Sequence, residues 1–89
     1  MNSSQLKNRT KKYSITILDL VEKLPNTISG RAVSNQIVRS GTSVGANYRA
    51  VCRARSDREF ISKLSIVIEE SDETLFWLEI ILEMAHRPF

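Results

Sequence analysis

One cysteine, Cys52, is too few for an intrachain disulfide, so packing alone must hold this 89-residue chain together. Three glycines and two prolines leave long stretches free of helix breakers. Nowhere do apolar and polar residues alternate over a useful length, as a half-buried strand requires. The sequence therefore predicts an all-α fold. No run approaches the roughly 20 apolar residues of a membrane span. No apolar stretch follows Lys7, Arg9, Lys11 and Lys12 in the manner of a signal peptide, so the expectation is a cytoplasmic protein with no membrane partner. Histidine is almost absent too. Carboxylate metal sites in helical bundles use Glu-x-x-His pairs projecting inward from two helices, and Glu83 with the single histidine, His86, makes one such pair. No Gly-rich phosphate loop occurs, and no histidine stands near Cys52 in sequence to activate it. These absences predict no enzyme, no cofactor and no metal site.

What is present is helical periodicity. Leu6, Thr10, Tyr13, Ile17, Leu20 and Leu24 recur at alternating spacings of 4 and 3, which predicts a first helix over about 5–24, closed by Pro25, after a frayed tail at Met1–Ser4. Val33, Ile37, Ser40, Val44, Asn47 and Val51 form the stripe of a second helix, about 27–52, with Asn26, Thr27 or Ser29 as its cap. Its middle is thin. Ser40, Gly41, Thr42, Ser43, Gly45 and Ala46 suit close approach of a neighbouring helix, or else a loop at 40–46. Ser56 and Glu59 have the spacing of a capping box, opening a third helix over about 57–86 with Phe60, Leu64, Val67, Ser71, Thr74, Leu78, Ile81 and Ala85 on its seam. Short connections predict three antiparallel helices sharing one seam within a single domain, 1–89, with Ser40 facing Ser71 and Tyr13 lying over Ser40.

That seam leaves apolar surface over. Ile61, Ile68, Leu75 and Leu82 recur every seven residues beside it, and Phe76, Trp77, Ile80 and Met84 lie on the far side of the third helix. Either Phe76 and Trp77 rest on the first helix, or Phe76, Trp77, Ile80 and Met84 form an interface with other subunits, as exposed patches of this size usually do.

Charge is distributed unevenly. Residues 1–58 hold 11 Lys and Arg against 3 acidic residues, while residues 59–89 hold 2 against 7. Arginine forks suit phosphate, which predicts a nucleic-acid surface made of Lys7, Lys11, Lys12, Arg31, Arg49, Arg53, Arg55 and Arg58. The competing reading is neutralisation within the bundle. An antiparallel register places Arg39 near Glu70 or Glu73, with Gln36 near Asp72, so Arg39, Glu70, Asp72 and Glu73 are expected to pair ions. A third reading is an adaptor that docks a nucleic-acid-processing protein. Asn47, on an apolar seam, is expected to set register through a hydrogen bond.

The segment QIVRSGTSVGANYRAVCRARS at Gln36–Ser56, then Glu59 with Phe60, then Asp72, Glu73, Trp77, Leu78 and Glu79, resembles the four-helix-bundle family of 23S rRNA intervening-sequence proteins, and is similar to the accessory proteins of diversity-generating retroelements. The resemblance spans about residues 20–83. It implies an up-down four-helix bundle without established enzymatic activity, assembling as a homo-oligomer, commonly a pentamer, with a basic surface proposed to bind RNA or DNA. The family's fourth helix has no counterpart after Ala85, so it is expected to be missing or supplied by another subunit.

Overall fold

A computed structural model describes residues 1–87, and its regular elements are three helices with no strand among the described residues: α1 (Ser3–Val21), α2 (Ile28–Cys52) and α3 (Asp57–Ala85). Among the described residues no helix is long and apolar enough to cross a membrane.

Side chains fix where each helix begins. Asn2 caps α1: its Oδ1 accepts from the Gln5 backbone at 2.9 Å, and Gln5 Oε1 accepts from the Asn2 backbone at 2.9 Å. This reciprocal capping box orders residues expected to fray. The helix also stops at Val21 rather than Leu24, because Lys23 and Leu24 bond three residues back, to Leu20 and Val21, and so tighten the last turn before Pro25. Thr27 caps α2 by accepting from the Gly30 N–H at 3.0 Å. Ser56 caps α3 by accepting from Glu59 at 3.1 Å. The return bond to Glu59 Oε2 comes from the Arg55 N–H at 3.4 Å, not from Ser56, so the expected box closes one residue early.

The small-residue stretch is helical throughout, which excludes the loop reading of 40–46. Thr42 and Ser43 donate back to the carbonyls of Val38 and Arg39 at 2.7 and 2.6 Å, holding their hydroxyls within the helix. Asn47 does the same, donating to Ser43 O at 2.9 Å, so it sets no register between helices. Burial rather than propensity stabilises α2. Ile37, Val44 and Val51 are buried on it, with Ile17 on α1, and each such side chain contributes about 1.5–3 kcal/mol.

α2 is the middle element, with α1 packed on one side and α3 on the other; α1 and α3 nowhere bring Cα atoms within 8 Å. The expectation of one shared seam is therefore replaced by two contact faces on α2. Towards α1 it presents Gly41 and Gly45: a Cβ at Gly41 would lie 2.9 Å from Ile17 Cγ1, and one at Gly45 3.3 Å from the Thr10 backbone. Numbers rise on α2 as they fall on α1. Towards α3 it presents Ser40, whose hydroxyl lies 2.9 Å from that of Thr74, both fully buried. Ser40 thus meets Thr74, not Ser71, which is exposed, and Ile17 is the α1 side chain against Gly41 in the thin layer. The reason is angular. Ser40 and Gly41 are consecutive, so about 100° of helix separates them and each serves a different neighbour. Phe76 and Trp77 stack on each other edge to face at 4.9 Å. The result is a rod of 52 × 21 × 19 Å.

Candidate nucleic-acid interface

Because α1 and α2 run in opposite senses and a four-residue turn returns the chain into α3, the start of α1, the end of α2 and the start of α3 gather at one end of the rod. Residues 1–14 and 45–66, which build that end, contain nine Lys and Arg and two acidic residues; the remainder contains four and eight. The fold brings Lys7, Lys11 and Lys12 to the same end as Arg49, Arg53, Arg55 and Arg58, all of them exposed.

Two clefts carry most of these cations. One, of about 180 Å³, lies between α1 and α2 and is lined by Lys7, Lys11 and Arg49 over a floor of Ser14, Ile15, Gly45 and Ala46. The other, of about 340 Å³, lies between the end of α2 and the start of α3 and is lined by Arg53, Arg55 and Lys63, with Ala50 and Glu59. Lys63 is half-buried and was not expected at the site; its alignment with Glu59, four residues earlier on α3, was the available signal. Tyr48 stands beside Cys52 at this end, and desolvation first, then the thiol's hydrogen bond and charge, raises its hydroxyl above the usual value of 10.0, so it stays a neutral donor.

Arg31 is placed elsewhere. It sits at the opposite end, where its guanidinium donates to Asn26 Oδ1 at 3.0 Å. Arg39 is neutralised, bridging to Glu70 at 3.3 Å and to Glu73 across the α2–α3 contact. Asp72 takes no part in that cluster among the described residues, because it is exposed on the side of α3 turned from Arg39. Among the described residues Arg39 alone forms ion pairs, which leaves the cations of the basic end without a partner carboxylate within 4.0 Å. No grouping of three or more His, Cys, Asp or Glu fit for a metal occurs among the described residues.

The apolar surface is larger than the four expected interface residues. Phe76 and Met84 are exposed, but Trp77 and Ile80 are half-buried, and Trp77 Nε1 is buried with no acceptor. Ile80 and Met84 line a groove of about 300 Å³ with Leu24, Pro25 and Val33. The most open row is Ile61, Ile68, Leu75 and Leu82, at 64, 62, 53 and 60% exposure. Its seven-residue spacing was legible, whereas its exposure is visible only in three dimensions.

No curated protein matches the chain. Among solved structures, a protein of unknown function from the S23 ribosomal protein family of Bacteroides thetaiotaomicron is similar over 99% of this chain and 79% of its own, at 35% identity and a TM-score of 0.86. Residues 2–87 match the family described as 23S rRNA-intervening sequence protein. With both matches spanning nearly the whole three-helix rod, the chain belongs to the 23S rRNA-intervening sequence protein family.

Proposed function

We propose that this is a non-enzymatic, homo-oligomeric helical-bundle protein whose basic end holds structured RNA or DNA through its phosphate backbone. The observation that carries the reading is the gathering of nine cations against two carboxylates at one end of the rod, none of the nine within salt-bridge reach of an acidic group among the described residues. Phosphate contacts of this kind bind without reading sequence. Capture of the tagged protein from cells tests it. Nucleic acid should be recovered, and co-purifying proteins should disappear after nuclease treatment; a protein partner that survives nuclease, with no nucleic acid recovered, would favour the adaptor and contradict this reading.

The oligomer follows from α3. Ile61, Ile68, Leu75 and Leu82 form an apolar row about 31 Å long, the rise of 21 helical residues. Surface of this extent on so small a chain calls for a partner. We read the three helices as part of an antiparallel up-down bundle, within a cytoplasmic ring of five. On a sizing column the protein should elute well above its 10.1 kDa. Changing Ile68 and Leu75 together to Glu should return it to monomer size with its helical circular dichroism retained. A wild-type protein already at monomer size would contradict the assembly.

A further inference from the structure

The two basic clefts adjoin. Arg49 lines the α1–α2 cleft and Arg53 the α2–α3 cleft, and four residues apart at the end of α2 their Cβ atoms lie about 5–6 Å from each other. Arg49 is followed by Ala50, which lines the second cleft, so consecutive residues in the last turn of α2 serve the two clefts. We infer that Lys7, Lys11, Arg49, Arg53, Arg55 and Lys63 form one continuous phosphate track that crosses the end of α2, occupied by the backbone of a single nucleic acid. This rests on the proposed function and deepens it. Two consequences separate a track from a diffuse basic surface.

The first concerns membership. Lys63 belongs to the track although it stands among apolar residues of α3 and outside the basic half of the sequence, whereas Arg31 does not, being at the other end of the rod. The second concerns Glu59. Its carboxylate lines the second cleft beside Arg55 and Lys63 while also capping α3 through the Arg55 N–H. It opposes an incoming phosphate, and glutamine in its place keeps the capping oxygen but removes the charge.

The experiment measures binding of one labelled duplex, in a DNA arm and an RNA arm, to the full chain across a salt series, with circular dichroism melts confirming that every variant folds. The pairs Lys7→Gln with Lys11→Gln, and Arg55→Gln with Lys63→Gln, should each lower the slope of log affinity on log salt by about two and weaken binding at about 100 mM salt by roughly tenfold to a hundredfold. Glu59→Gln should strengthen binding a few-fold, and Arg31→Gln should change nothing. The track is overturned if either pair keeps wild-type affinity and slope, if Arg31→Gln is as harmful as the pairs, or if polyglutamate of equal charge competes as well as the duplex. A wild-type protein that binds neither duplex refutes the proposed function itself, whereas binding that ignores the cleft variants refutes only the track.

Discussion

Replacing Gly41 by valine is expected to lower the melting temperature by about 15 °C, the shift that about 3 kcal/mol produces in a chain of this size. The Cβ alone would sit 2.9 and 3.0 Å from the two γ carbons of Ile17, closer than carbon atoms pack, and Ile17 is buried at the α1–α2 contact with its own rotamer restricted by branching. Valine adds two methyls to that collision. α1 must then withdraw from α2, the helix on which it packs, since its Cα atoms nowhere come within 8 Å of those of α3. Alanine at the same position sets two effects against each other, since it gains about 1 kcal/mol of helix propensity while meeting Ile17. Ile17→Ala removes both γ carbons, so Gly41→Ala combined with Ile17→Ala should cost clearly less than the two changes added together. Melts of the four proteins give that coupling. Should Gly41→Val melt within a few degrees of wild type, close approach at this glycine is not what holds α1.

The same two helices show what the sequence could and could not specify. Heptad spacing located the buried faces: Ile17, Ile37, Ser40, Val44, Val51 and Thr74 all stand on the expected stripes and are all buried. Spacing along one helix says nothing about which neighbour each residue of a stripe meets. Ser40 and Gly41 both read as small and close-packing, yet one meets Thr74 and the other Ile17, a distinction set by angle around α2 and visible only in three dimensions. The register slipped for the same reason. At the basic end, arginine and lysine could be picked out by charge, but membership of the site depended on the clefts. Arg31 fell away because α2 carries it to the wrong end, and Lys63 entered because the turn at Arg53–Ser56 folds α3 back beside Arg53. The Arg39 cluster was legible in two of its three acidic members, as Glu70 and Glu73 lie on the face of α3 turned towards α2 and Asp72 does not.

Affinity for nucleic acid is expected to fall by about a thousandfold between 50 and 200 mM salt. Six cations line the track, and neutralising six phosphates of a duplex releases enough counterion to give a slope of about −5 in log affinity against log salt. Hydrogen-bonded recognition of bases, or docking of an apolar surface, would produce a much flatter dependence. Oligomerisation multiplies the track, so an assembled ring engaging one ligand with several subunits should show a steeper slope still.

The most direct measurement is this salt titration on the unaltered chain with a duplex RNA. A slope of about −5 or steeper is the predicted result; an affinity unchanged from 50 to 200 mM salt, or no binding at the low end of that range, would contradict the assignment of the basic end as a phosphate-binding surface.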